Sequence, residues 1–527
     1  MSFVTLPPEI VEQVVTQLPL YDIGSLRLTS RILACNATQD HFKANFYSKS
    51  VELTERSLQR FAVAATAGGL VHKLRHLTLV APVYNTLELE ANINRSAIPI
   101  PKWDNDGMLE RITLENVADE DLQEMVQELE TLRQQRSEHS LFTDRGGHVA
   151  LLSQALGKLK ADGFSLQAMT AEVAVYRIDA TTPLLPIYGG GWKHIWAAAK
   201  TALEAIFGSV ARCGLQVQRL NLFNSSRMVR CSISCDKFTY LDFDSAQLGE
   251  FLNSLESLSV SISDRIIDVN DMESMDQEDY SSALEVDSGA TWVPEDEILR
   301  EARNEQNFAG LAKMFSKCHN LRQLDIAHCD LDISYDVTHA QQEGILSALQ
   351  EANLHSVAKV TLQGFDASEQ QLFGVLHSLS GLRSITLRIM TLCHQDLGWD
   401  ALLDYCTKRL DEVSLDGLFN PRILLFKPPY AIFEASQLRN GQRVALKAHY
   451  KRGVTTYPTA LRGVEIATSP KIDYIVYEGV LRDSVAQRAW KRDLNNRFGP
   501  PGYGAEACVR DHLRPEEIWQ LQPPWDQ

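Results

Sequence analysis

The sequence predicts an α/β fold: a short all-helical front segment, an array of strand-plus-helix units stacked side by side, and a mixed closing region. Three observations predict it. A six-residue pattern with apolar residues at positions one, four and six recurs nine times between Leu74 and Leu415. Helix-like stretches precede several copies, over Phe308–Lys317, Glu369–Ser378 and Trp399–Arg409. The chain also opens on apolar residues at helical spacing, punctuated by prolines.

The front segment reads as three small helices. Pro7 and Pro8 suit a first turn, where a missing N–H costs nothing, and Ile10, Val11, Val14, Val15 and Leu18 form one apolar stripe. Pro19 stops that helix. Asp22 is expected to cap a second helix carrying Ile23, Leu26 and Leu28, and Thr29 or Ser30 a third that begins near Arg31. Burying about eight aliphatic side chains gives roughly 1.5–3 kcal/mol each, whereas ordering the segment costs roughly 1–2 kcal/mol per residue in backbone entropy alone. Such a segment needs the rest of the chain or a second protein to stand.

The recurring pattern begins at Leu74, Leu109, Val217, Phe238, Leu255, Leu321, Val357, Leu382 and Leu410. In each copy the fourth and sixth residues alternate as in a strand buried on one face, and the first is a bend into it. Recurrence of this kind marks a repeat array in which each unit buries its apolar side on its neighbours. The polar residues between the buried positions face outwards and are the first candidates for contacting a protein partner. They are Arg111, Arg219, Tyr240, Asp242, Asp244, Gln323, Asp325 and Arg388, with Thr113, Asn221, Phe223, Lys359 and Glu412 beside them. Tyrosine and arginine stand out, because they tend to carry interface energy.

Copies start between 17 and 108 residues apart, so the array is irregular and carries insertions. A helix-rich one is expected over about 118–215. A second, over about 264–303, changes composition sharply: residues 264–301 hold thirteen acids against two arginines, which reads as a disordered loop. The expected organisation is therefore a front domain at 1–50, an array at 51–418 and a capping region at 419–527. Within the last, Arg443–Leu446 and Ile472–Tyr477 look β-like and Arg482–Phe498 helical.

Composition narrows the function. The chain has 527 residues, 44% apolar and 23% charged, in the ordinary range for a folded protein. A net charge of −17 argues against nucleic acid or an anionic membrane as partner, since both draw binding energy from Lys and Arg. The most membrane-like run, Trp192–Leu215, contains Lys193, Lys200, Glu204 and Arg212 and is too charged to span a bilayer. Nine scattered cysteines and the absence of a secretory leader pattern suit a reducing compartment, cytoplasm or nucleus. Cys231 and Cys235 lack metal-ligand spacing. No nucleophile elbow, HExxH helix, P-loop or kinase set occurs, and Gly189–Gly191 lacks the phosphate-cradle spacing. No catalytic residue, metal site or cofactor is expected.

Leu6-Pro7-Pro8-Glu9-Ile10, then Leu18-Pro19, Asp22-Ile23 and Leu26-Arg27-Leu28-Thr29-Ser30-Arg31 resemble an F-box of the form common in fungi, and Phe42–Leu53 extends the likeness. Ile32 and Leu33 stand where many members place a tryptophan. The resemblance implies docking on a Skp-family adaptor of a Skp–cullin–F-box ubiquitin ligase, with Leu6, Pro7, Pro8, Ile10, Val14, Leu18, Ile23, Leu26 and Leu28 at the contact. The strand-plus-helix array in turn resembles a leucine-rich-repeat solenoid, which F-box proteins often carry as their substrate-binding part. Together they imply a non-catalytic substrate receptor for an unknown protein. The competing expectation is a leucine-rich scaffold without a ubiquitin role, its front helices closing one end of the array.

Overall fold

A computed structural model describes residues 6–67, 69–103, 109–164, 166–186, 192–229, 231–265, 295–329, 335–393, 398–420, 422–426, 447–456 and 471–476. Its backbone is a mostly parallel sheet with helices. Nine strands carry it: β1 (Ser48–Glu52), β2 (His76–Tyr84), β3 (Ala168–Tyr176), β4 (Arg219–Leu222), β5 (Ser257–Ser263), β6 (Gln323–Cys329), β7 (Lys359–Gln363), β8 (Ser384–Leu392) and β9 (Glu412–Asn420). Each pairs in parallel with the next in chain order. Parallel neighbours require a crossover between them, and most of the helices supply it.

The register follows the six-residue pattern. Leu77, Met169, Leu220, Leu258, Leu324, Val360, Ile385 and Val413 form one ladder row, and Leu79, Ala171, Leu222, Val260, Ile326, Leu362, Leu387 and Leu415 form the row two residues on. All of them are buried. The bend ahead of each strand is tied to its neighbour in a repeating way: two successive N–H groups donate to one carbonyl of the preceding unit. Examples are Gln167 and Ala168 to Arg75, Gln218 and Arg219 to Gln167, and Asp411 and Glu412 to Arg383. A register slip of one residue would turn every buried side chain outwards, so the apolar rows and these bonds fix the stack together.

The helices Glu55–Ala67, Gly147–Ala161, Trp192–Cys213, Ala246–Asn253, Gln306–Ser316, Tyr335–Glu351, Glu369–Ser378 and Trp399–Arg409 follow or precede these strands. They share one continuous apolar core with the two buried rows. Two match the expected spans to the residue. Glu369–Ser378 starts at a capping box made by Ser368 and Gln371, and Trp399 is pinned to β9 by its indole N–H donating to the Phe419 carbonyl at 2.9 Å. On Gln306–Ser316, Phe308, Leu311 and Phe315 face the core while Gly310 lies against backbone: a Cβ there would stand 2.2 Å from the carbonyl carbon of Phe238.

Two copies of the pattern are not in the ladder. Leu109–Leu114 lies in the strand Leu109–Asn116, which pairs antiparallel with Ala97–Trp103 as a separate ribbon. Pro99 and Pro101 in its partner lack the N–H a central strand needs, which restricts that strand to an edge. Phe238–Phe243 overlaps a 3-10 turn, Cys235–Tyr240, whose backbone at Phe238 and Thr239 is the seat for Gly310. Conversely, the stretch expected to be a helical insertion has its helices, Asp119–Asp144, Gly147–Ala161 and Trp192–Cys213, yet also supplies β3. Of the acidic stretch, 266–294 lies outside the described residues. Its edges are ordered: Asp264 is buried, and Glu295–Ala302 is a helix.

Beyond β9 the pairing turns antiparallel. Strand Lys447–Lys451 runs along β9, Val454–Thr456 along that strand, and Arg422–Phe426 pairs with both the end of β9 and Tyr474–Val476. Phe426 and Tyr450 are buried there. The expected pieces Arg443–Leu446 and Arg482–Phe498 lie outside the described residues.

Before β1 stand four short helices, one more than expected: α1 (Pro8–Val15), α2 (Leu20–Thr29), α3 (Arg31–Asn36) and α4 (Asp40–Ala44). Ser30 caps α3, its hydroxyl accepting from the Leu33 N–H at 3.1 Å. Asp22 does not cap α2; Pro19 occupies that position and Asp22 sits in the first turn, where its charge suits the helix dipole. Val11, Val15, Ile23, Ala37 and Phe42 form a small core separate from that of the sheet. The Arg27 guanidinium stacks on Phe42 at 4.0 Å, and Glu12 accepts from the His41 N–H at 2.7 Å, tying α1 to α4.

Candidate functional site

Among the described residues the helices leave two surfaces uncovered. The first belongs to the four-helix unit. Its core turns Ile23 inwards, and the opposite side of α2 carries Tyr21, 83% exposed, and Leu28, 89% exposed, seven residues apart and so on one helical face. Ile10, Leu20 and Ile32 are exposed as well. A helix that buries one apolar face and displays a second has more apolar surface than its own fold uses.

Of the residues expected at an adaptor contact, Pro7, Pro8, Ile10 and Leu28 are exposed. Leu6, Val14, Leu18 and Leu26 are half-buried, with Leu6, Leu18 and Leu26 packed on the small core. Ile23 is fully buried and has no surface to offer. Leu20, Tyr21 and Ile32 are not among the expected contact residues; their exposure alone identifies them.

The second surface is the face of the sheet away from the shared core. Arg219, Gln323 and Lys359 stand in one ladder row on β4, β6 and β7, all exposed, with Ser257 between the first two. Asp325 is two residues on along β6, and Arg388 a further two on along β8. Neighbouring strands lie about 4.8 Å apart, so this group spans roughly 20 Å. Burial pushes the Asp325 carboxyl above the usual carboxylate range, opposed by a hydrogen bond from Asn224 and by the charges of Arg388 and Lys359. His76 is held below its ordinary value by burial and by Arg219 and Arg75. Among the described residues Arg219, Lys359 and Arg388 form no salt bridge. The face is thus locally positive in a strongly acidic chain.

The remaining candidates stand elsewhere. Tyr240 ends the 3-10 turn off the ladder and Asp242 and Asp244 follow it, where Asp244 pairs with Lys313 at 2.9 Å and with Lys317 at 3.7 Å. The Lys313 hydrogen bond and charge hold the Asp244 carboxyl below its usual range. Arg111 is in the separate ribbon, paired with Lys102.

One group has the look of a catalytic site. His328 Nε2 lies 3.0 Å from Asp264 Oδ1, Thr338 donates to Asp264 Oδ2 at 3.0 Å, and Gln342 lies 3.2 Å from His328 Nδ1. Gln342 fixes the tautomer: its amide donates to Nδ1, leaving the Nε2 proton for Asp264. Both side chains are almost wholly inaccessible, 0% and 1% exposed, so no substrate reaches them and the group is a structural pin. His328 and Asp264 are 64 residues apart in sequence, with no local signal. Cys231 and Cys235 are core thiols raised well above their ordinary range by burial.

No family model matches the chain, and no curated protein matches it. The reading of these surfaces therefore rests on their geometry. No helix among the described residues is long and apolar enough to cross a membrane.

Proposed function

We propose that the protein is the substrate-recognition subunit of a Skp–cullin–F-box ubiquitin ligase. The four front helices are its F-box and dock on a Skp-family adaptor, which joins it to the cullin. The observation that carries the reading is the apolar side of α2: a unit with its own core displays Tyr21, Leu28, Leu20 and Ile32, surface that a partner helix would cover. The stacking of parallel strands in chain order, with one helical face and one open face, supports reading the body as an irregular leucine-rich-repeat solenoid. The antiparallel strands after β9 support a cap on its last unit. The open face, with Arg219, Gln323, Asp325, Lys359 and Arg388, takes an unknown protein substrate. Ubiquitin transfer itself needs no residue of this chain, whose part is to hold the substrate near the transferring enzyme, in cytoplasm or nucleus.

Co-expression with a Skp-family adaptor tests this. The full chain is expected to co-purify with the adaptor, and Tyr21→Ser with Leu28→Ser to abolish co-purification without lowering the unfolding temperature. Retained binding in that double variant contradicts the docking surface, and a parent that captures no Skp-family adaptor contradicts the function.

A further inference from the structure

A groove of about 670 Å³ opens at the β1–β3 end of the sheet's open face, beyond the strands β4–β8 that carry the group described above. Its lining includes Arg56, Arg60, Arg227, Glu52, Glu172 and Val80. The last three are in one ladder row, Glu52 on β1, Val80 on β2 and Glu172 on β3. The three arginines are exposed, and among the described residues none of them forms a salt bridge or a side-chain hydrogen bond. Glu52 is engaged instead by the Tyr176 hydroxyl, which donates to it.

Two of these cations stand unfavourably on their own helix. Arg56 and Arg60 are four residues apart on the helix Glu55–Ala67, so two like charges share one helical face. Arg56 is moreover in the first turn, where the helix dipole disfavours a cation and favours an anion. Arg227, from the turn after β4, adds a third guanidinium to the same groove. A dense anion seated among them relieves each of these costs, and the guanidinium fork fits phosphoryl oxygens in pairs. The cavity is far larger than one phosphate and matches the size of small-ligand sites. Glu52 and Glu172 stand where hydroxyl or amide donors of the rest of the ligand would be accepted.

We propose that this groove binds a phosphoryl group borne by a larger ligand, with Arg56, Arg60 and Arg227 holding the phosphoryl oxygens. The site does not depend on the adaptor reading. Calorimetric titration of the full chain with inorganic phosphate, pyrophosphate, a phosphoserine peptide and its unphosphorylated form tests it. Saturable binding of the phosphorylated probes is expected, weakening as salt rises. Arg56→Gln with Arg60→Gln and Arg227→Gln should lower the affinity at least tenfold with unchanged circular dichroism, and Arg227→Gln alone by a smaller factor. Glu172→Gln should raise it, by removing a like charge. A phosphoserine peptide that binds more tightly than pyrophosphate points to a protein source, and the reverse order to a small phosphorylated molecule; both uphold the site. Absence of saturation with every phosphorylated probe at millimolar concentration, or equal affinities for parent and triple variant, overturns it.

Discussion

Replacing Asp264 with alanine removes the acceptor that holds two donors inside the protein. His328 Nε2–H and the Thr338 hydroxyl both point at its carboxylate at 3.0 Å, and His328 and Asp264 are 0% and 1% exposed. Neither donor gains water in exchange. An unsatisfied buried donor costs about 1–3 kcal/mol, and two are left here. Asp264→Ala should therefore lower the unfolding free energy by about 2–5 kcal/mol, read as a shifted urea midpoint at unchanged slope. Thr338→Val removes one hydrogen bond and should cost about 1 kcal/mol. The double variant should lose about 1 kcal/mol less than the two single losses together, because the orphaned hydroxyl is then absent. A loss below about 1 kcal/mol for Asp264→Ala, or strict additivity, would refute the reasoning that this network pins β5, β6 and the helix Tyr335–Glu351 together.

Two further outcomes follow from the packing. Gly310→Ala puts a methyl 2.2 Å from the Phe238 carbonyl carbon and 2.3 Å from the Thr239 nitrogen. Backbone cannot step aside cheaply, so a loss of about 2–3 kcal/mol is expected in urea unfolding; an unchanged midpoint would contradict the close approach. Burial, with the nearby His148 adding to it, lowers the His139 imidazole to about 4. Below pH 6.5 the unfolded chain takes up a proton that the folded one refuses, so this contribution is full above pH 6.5 and is lost as pH falls towards 4. About 2 kcal/mol is expected to disappear across that window, given the residue's partial exposure. His139→Gln should flatten the profile, and a parent and variant with parallel pH profiles would contradict it.

The parallel ladder was legible because its signal is redundant. Seven copies of the pattern, from Leu74 to Leu415, stand in one register, each with a buried bend residue and two buried strand residues. β3 escaped notice because its copy is Leu166-Gln-Ala-Met169-Thr-Ala171, where a methionine and an alanine fill the places of larger aliphatics. The large helices on either side, Gly147–Ala161 and Trp192–Cys213, supply the missing volume. The opposite error, at Leu109 and Phe238, has one cause: six residues do not encode what lies beside them, and prolines in a partner strand or a tight turn decided those cases. For the open face, Arg219, Gln323, Asp325 and Arg388 could be placed because strand alternation alone sets which side a residue faces. Tyr240, Asp242 and Asp244 lie off the ladder, because a 3-10 turn takes the place of the strand expected to carry them. The buried His328–Asp264 pair and the arginine groove could not be read at all, since each joins residues from distant units whose meeting depends on the stack.

Hydrogen exchange of the full chain, alone and with a saturating Skp-family adaptor, addresses the docking claim most directly. The exposed side of α2 and the start of α3 should gain protection on mixing, from Leu20 to Ile32, while the ladder strands β5–β9 remain unchanged. Exchange in Leu20–Ile32 that is the same with and without the adaptor would contradict the account.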